Sequence, residues 1–225
     1  MIDTGLLRRV PLFAGFSEQQ LGDVTQLVKT RRFGKHELIV REGEPGEAFY
    51  VILAGTVTIV RTASDGRETI LSILKDRDFF GEMSVFDTSV RSASVRAMTN
   101  VVLGVIEREP FLALIDRTPG IGRLLVIALS ERLRAANALI SSTTSQDIRS
   151  RLAMLLLNLV QSFGEPFEGG QRISLRLTNQ ELANMIGTTR ETVNRTLNRF
   201  WDEHLIDMRT THIVLTDPEK LRALV

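Results

Sequence analysis

Glu82 stands nine residues before Arg91, with Gly81 ahead of the carboxylate and Ser92 behind the guanidinium. These four residue types suit a small loop that closes around a ligand carrying both a sugar and a phosphate. Gly81 has no Cβ, so backbone can approach a ligand closely and a short helix can begin, its N–H groups free for an anion. Glu82 can accept hydrogen bonds from a ribose hydroxyl. Arg91 offers a planar fork of donors to phosphate oxygens, and Ser92 adds a hydroxyl and a backbone N–H to the same anion. The chemistry expected is binding of a nucleotide monophosphate. The competing reading is a surface ion pair between Glu82 and Arg91 flanking a hairpin, with Ser92 merely solvated.

The elements that must position this cassette are short and β-rich. Glu42-Gly43-Glu44-Pro45-Gly46 is a turn cluster, followed by Phe49-Tyr50-Val51-Ile52-Leu53, then Ala54-Gly55 and a run from Thr56 to Val60. Ser64-Asp65-Gly66-Arg67, between that run and Thr69–Leu74, is an Asp-Gly hairpin signal. Glycine-punctuated strands of this kind predict an antiparallel roll or sandwich.

Leu12-Phe13, Glu42-Gly43, the segment from Phe49 to Gly55, Gly81-Glu82 and Arg91-Ser92-Ala93 together resemble the cyclic-nucleotide-binding domain of the Crp/Fnr family of bacterial transcription regulators. The resemblance implies that Gly81 and Glu82 hold the ribose and that Arg91 and Ser92 hold a cyclic phosphate, with cyclic AMP as the expected effector.

Helical signals follow. Pro110 to Asp116 reads as a short helix, which Pro119-Gly120 breaks before a longer one begins. From Val126, the positions Val126, Leu129, Leu133, Ala136, Ile140 and Thr143 recur at alternating spacings of three and four, an a/d seam. The seam fits either a partner helix or the chain's own roll, and the resemblance implies the central helix of a homodimer. The family's cyclic AMP binders read adenine here with threonine and serine, where this chain carries Ala136 and Asn137. Alanine makes no side-chain hydrogen bond, whereas Asn137 keeps a donor and an acceptor for the adenine edge.

A hinge is expected near the polar run Ser141–Gln146, with Asp147 capping the next helix, which buries Ile148, Leu152, Leu155, Leu156 and Leu159 and stops before Gly164-Glu165-Pro166. Ile173 to Leu177 reads as a short strand. Thr178-Asn179-Gln180-Glu181 is a capping box that opens a helix ended by Gly187, and Thr188-Thr189-Arg190-Glu191 opens a second whose Val193, Leu197 and Phe200 face inward. Glu191 could instead merely complete a capping box with Thr188. The spacing of the two helices is that of a helix-turn-helix, and the segments from Leu205 and from His212 supply the hairpin of a winged variant.

Arg190, Glu191, Asn194 and Arg195 share the outward face. Arginines there can grip guanine O6 and N7, and glutamate can accept from cytosine N4. Arg190 to Arg195 resembles the recognition helix of the cyclic AMP receptor branch, which implies base reading by Arg190, Glu191 and Arg195 in TGTGA-like halves of an inverted repeat. Thr189, Thr192, Asn194 and Arg199 are candidates for phosphate contacts.

The expected fold is therefore α+β: a β-roll over 1–118, a dimerisation helix and hinge over 119–146, and a winged helix-turn-helix over 147–225. Double-stranded DNA, a second copy and RNA polymerase are the expected partners. The 225 residues accommodate two modest cores, and a net charge of +1 leaves any DNA surface to local clustering. No apolar run reaches membrane length, and the start lacks the apolar core of a signal peptide, so a cytoplasmic protein is expected. With no cysteine and three scattered histidines, neither metal, haem nor an iron–sulfur cluster is expected as a sensor. No nucleophile–base pair or phosphate loop marks an enzyme. A ligand-independent regulator with a relic cassette is the alternative.

Overall fold

The protein is described by a computed structural model over residues 3–87, 89–145, 147–208 and 211–225, with backbone alone for 119, 135 and 138–145. It divides into two compact units, Met1–Arg134 and Ala135–Val225.

In the first unit, α1 (Thr4–Arg8), a 3-10 turn (Pro11–Phe13) and α2 (Glu18–Leu27) precede the strands. These are β1 (Lys29–Phe33), β2 (Leu38–Val40), β3 (Ala48–Ala54), β4 (Thr56–Thr62), β5 (Glu68–Lys75) and β6 (Phe79–Phe80). Then come α3 (Glu82–Asp87), β7 (Ser94–Ala97), β8 (Val101–Glu107), α4 (Arg108–Arg117) and α5 (Pro119–Ser145). Two antiparallel sheets, in the orders β1-β8-β3-β6 and β2-β7-β4-β5, make the expected roll.

The two-residue period of β3 divides its side chains between two cores. Ile52 joins Val40, Val57, Leu74, Phe80, Val95, Leu103 and Val105 between the sheets. Phe49 and Val51 face the other way, into a core with Leu7, Phe13, Leu21, Phe111, Ile121 and Leu125. Phe49 stacks on Phe111 with centroids 3.9 Å apart. The hairpin expected at Asp65-Gly66 joins β4 to β5, with Gly66 at φ 82°.

Glu68 on β5 reaches across β4 to Arg96 on β7 through hydrogen bonds of 2.7 and 3.0 Å. The hydrogen bonds from Arg96 hold the Glu68 carboxyl below its ordinary 4.5. A carboxyl lowered by folding contributes stability that is present above its unfolded value and lost as pH falls through the folded one. Glu68→Gln is expected to cost about 0.5–1 kcal/mol at neutral pH, because the pair is one-third exposed. The deficit should vanish in acid well below 4.5, read by urea unfolding of wild type and variant at both pH values.

In the second unit, α6 (Ile148–Phe163), β9 (Gly164–Phe167), β10 (Gly170–Ile173), α7 (Asn179–Ile186), α8 (Arg190–Asp202), β11 (Ile206–Asp207), β12 (Val214–Leu215) and α9 (Pro218–Arg222) follow in order. The strands form one antiparallel sheet in the order β11-β12-β10-β9. Asp147 caps α6 by accepting from the Ser150 N–H, as expected, and Leu152, Ala153, Leu156 and Leu159 are buried beneath it.

One local expectation is corrected. The strand expected over Ile173–Leu177 lies earlier, as β10, and pairs with Gly164–Phe167, which had read only as a helix stop. Gly169 and Gly170 turn this hairpin at φ 82° and 156°, and a Cβ on Gly170 would sit 2.0 Å from the Leu215 carbonyl oxygen, so only glycine lets the hairpin pack on β12. The polar run near which a hinge is expected is helical through Ser145, and Gln146 lies outside the described residues.

Candidate functional site: a buried anion pocket and an exposed recognition helix

Gly81 joins β6 to α3 at φ +86°, a conformation that L side chains rarely adopt. A Cβ there would lie 2.7 Å from Arg91 Nη1 and 2.8 Å from the Ala48 carbonyl oxygen. Glycine is thus required both by the turn and by the guanidinium that packs over it. Gly46 is as closely approached, since its Cβ would meet Ser84 Oγ at 2.0 Å.

Arg91 is 6% exposed, and each of its side-chain hydrogen bonds within the described residues goes to a neutral acceptor. Nη1 donates to Ser84 Oγ at 2.7 Å and to the Gly81 carbonyl at 3.2 Å, and Nη2 donates to the Ala48 carbonyl at 2.8 Å. Tyr50 lies under the guanidinium, 5.4 Å from centroid to Cζ. Burial pulls the Arg91 guanidinium below its ordinary value, with Tyr50 and Glu82 opposing the shift. The backbone on either side is pinned: Arg91 N–H donates to the Glu44 carbonyl, and Gly43 N–H to the Arg91 carbonyl. The result is a fixed, desolvated positive charge without a carboxylate partner among the described residues, an arrangement chemically suited to an anion.

Glu82 opens α3 and is 4% exposed. It does not pair with Arg91 at the surface, so the ion-pair reading of the sequence fails. Its partner is Arg132, on α5, whose Nη1 donates to Oε1 at 3.0 Å. Arg132 also donates to the Phe79 carbonyl and lies 4.7 Å above the Phe79 ring. The second carboxylate oxygen, Oε2, is buried with no hydrogen-bond partner among the described residues. A buried acceptor with a spare lone pair suits a hydroxyl donor. The donor set therefore fits a nucleotide: an acceptor for a sugar hydroxyl beside a cation for a phosphate. Ser92 is exposed next to Arg91, its Oγ 3.7 Å from Met83 Sδ. Asn137 is exposed on α5 beyond the first unit.

Arg132 was missed in the sequence, although a signal exists. Ile121, Leu125 and Ala128 pack on the roll's outer core, and Arg132 continues their three-and-four spacing, so the core-facing stripe ends in a charge. The seam residues Val126 and Leu133 lie on another stripe and are 63% and 62% exposed. One helix thus carries both stripes that the seam left open. Ala136 is exposed too, while the side chains of Ile140 and Thr143 lie outside the described residues.

In the second unit, Thr178 and Glu181 close the expected capping box of α7, and Gly187 ends that helix at φ 65°, ψ 49°. Thr189 is the N-cap of α8, accepting from the Thr192 N–H at 3.2 Å, so Glu191 completes no capping box with Thr188. The Thr192 hydroxyl lies 3.0 Å from that of Thr189, which commits this pair to the helix start. Val193, Thr196, Leu197 and Phe200 are buried against Leu182, Ala183, Met185 and Ile186. Arg190, Glu191, Asn194, Arg195 and Arg199 are exposed. Arg190, Glu191, Arg195 and Arg199 have no ion-pair partner among the described residues, so their charges are open to solvent. Strands β11 and β12 pair as the wing.

A roll with a desolvated nucleotide cassette, joined in one chain to a winged helix-turn-helix, defines a class: regulators that bind a cyclic nucleotide and DNA. Residues 30–118 match the cyclic nucleotide-binding domain family, and residues 150–224 match the Crp-like helix-turn-helix domain. The chain is 33% identical over 216 residues, 96% of each protein, to the CRP-like cAMP-activated global transcriptional regulator of Mycobacterium tuberculosis. It is 26% identical to the c-di-GMP responsive global regulator CLP of Xanthomonas campestris, with a TM-score of 0.75 over 88% of this chain and 99% of that one. A mutant of CooA from Carboxydothermus hydrogenoformans shares the fold, with a TM-score of 0.80 at 22% identity over 95% of this chain and 94% of the other. The chain belongs to the Crp/Fnr family of cyclic-nucleotide-binding transcription regulators, a family of DNA-binding proteins and not of enzymes.

Proposed function

We propose that the protein is a cytoplasmic homodimer that binds cyclic AMP and, in that state, binds TGTGA-like inverted repeats and engages RNA polymerase. The observation that carries the reading is the buried Arg91 with neutral partners beside the buried Glu82 with a spare oxygen. Cyclic AMP would supply a singly charged phosphate for Arg91 and Ser92 and a ribose hydroxyl for Glu82 beside Gly81, with Asn137 addressing the adenine edge. The cAMP-activated relative supports this choice of nucleotide. The exposed stripe of Val126 and Leu133 supports a partner helix, and two-fold symmetry suits a palindrome. Base reading by Arg190, Glu191 and Arg195, with Thr189, Thr192, Asn194 and Arg199 near phosphates, completes the reading.

Control requires the nucleotide to bind the DNA-competent arrangement better, by the same factor by which it tightens DNA binding. Arg132 is the side chain suited to carry this coupling, because it ties Glu82 to α5. A second reading, a ligand-independent regulator, rests on Ala136, which offers no side-chain hydrogen bond where adenine would be read. Fluorescence anisotropy on a TGTGA palindrome at fixed salt, with cyclic AMP, cyclic GMP, c-di-GMP or no nucleotide, separates the two. Tightening by cyclic AMP of about 10-fold or more is expected. Equal tight binding in all four conditions would establish the ligand-independent reading, and tightening by another nucleotide would replace the effector.

A further inference from the structure

We propose that Met83 is a site of reversible oxidation by peroxide, and that its sulfoxide weakens nucleotide binding by engaging the Ser92 hydroxyl. The inference rests on the proposed binding of a cyclic phosphate by Arg91 and Ser92. Met83 follows Glu82 on α3 and is 52% exposed. Among the described residues no other methionine is exposed: Met98 and Met185 are buried, and Met154 and Met208 are partly covered. The chain has no cysteine, so no thiol competes for a two-electron oxidant.

The position of the sulfur gives its oxidation a consequence. Ser92 Oγ donates to Met83 Sδ at 3.7 Å. A thioether is a weak acceptor, so this bond is readily exchanged for one to a phosphate oxygen. Peroxide changes the acceptor. A lone pair on Sδ attacks one peroxide oxygen, the S–O bond forms as the O–O bond breaks, and the departing hydroxide takes the proton from the new S–OH group and leaves as water. Sulfur loses two electrons and the peroxide gains them. The product is a polar sulfoxide, whose oxygen carries partial negative charge and accepts a hydrogen bond far better than the thioether. Built on the atom that Ser92 already faces, that oxygen holds the Ser92 proton and turns a second acceptor toward the phosphate. Arg91 is buried and bonded to Ser84, Gly81 and Ala48, so its own contact with phosphate remains. Binding is therefore weakened and not abolished.

The test is isothermal titration of the full-length protein with cyclic AMP before and after treatment with hydrogen peroxide, with the oxidised positions read by peptide mass spectrometry. Met83 should gain one oxygen before Met98, Met154, Met185 or Met208. Affinity should then fall about 10-fold, the lower end of what one hydrogen bond to a charged group contributes. A pair of methionine sulfoxide reductases with a dithiol, one enzyme for each sulfoxide epimer, should restore it. Met83→Leu should bind like the reduced wild type and ignore peroxide. Ser92→Ala should bind more weakly from the outset and lose nothing further on oxidation, which separates the Ser92 route from general damage. A change of less than about threefold with Met83 fully oxidised would overturn the inference. So would an equal peroxide response in Met83→Leu, further weakening of Ser92→Ala, or oxidation of the buried methionines ahead of Met83. Reduced wild type that binds no cyclic nucleotide would overturn the proposed function and this inference with it, whereas reduced protein that binds and ignores oxidation overturns this inference alone.

Discussion

Arg91→Gln is expected to weaken cyclic-nucleotide binding by at least about 100-fold while the protein stays folded. A guanidinium–phosphate contact is a charge-assisted, two-pronged hydrogen bond, and each such bond contributes about 1.5–3 kcal/mol. Losing both prongs at even the lower figure removes about 3 kcal/mol, which is two decades of affinity. The side chain is desolvated before any ligand arrives, held by Ser84, Gly81 and Ala48, so the cost of burying the charge is already met by folding. Glutamine also removes a buried charge whose partners are neutral, which limits the loss of stability. Isothermal titration with cyclic AMP reads affinity, and urea unfolding without nucleotide confirms the fold. Binding within threefold of wild type would remove Arg91 from the site.

Arg132→Met is expected to lower stability by about 3 kcal/mol, because it leaves the Glu82 carboxylate buried without its cation. Methionine keeps an apolar stem on the Phe79 ring, over which the guanidinium otherwise lies, so lost packing is a small part of the deficit. Adding Glu82→Gln should recover most of the loss, since a neutral amide needs no cation, and the double variant should fall within about 1 kcal/mol of wild type. Additive losses in the double-mutant cycle would show that the pair is not coupled.

Much of this molecule is written in short-range relations. The Asp65-Gly66 hairpin, the alternation along Phe49–Ile52, the capping of α7 by Thr178 and Glu181 and the left-handed Gly187 each depend on residues two to four apart, which sequence spacing reports directly. The outward face of α8 was legible for the same reason, since burial of Val193, Leu197 and Phe200 follows from a 3.6-residue period. The β9–β10 register was not legible, because it depends on Gly170 meeting the Leu215 carbonyl, far along the chain.

The site divides along the same line. By itself the sequence singled out the groups of the proposed pocket, Gly81, Glu82, Arg91 and Ser92, because their types and spacing lie within one short cassette. Only the tertiary structure decided how they are used. It buried Glu82 and Arg91 instead of pairing them at the surface, gave Arg91 three neutral acceptors and brought Arg132 to Glu82 from fifty residues away. The physical reason is that a charge's partner is set by which faces pack together, and packing of α5 on the roll is a long-range choice that no local period encodes.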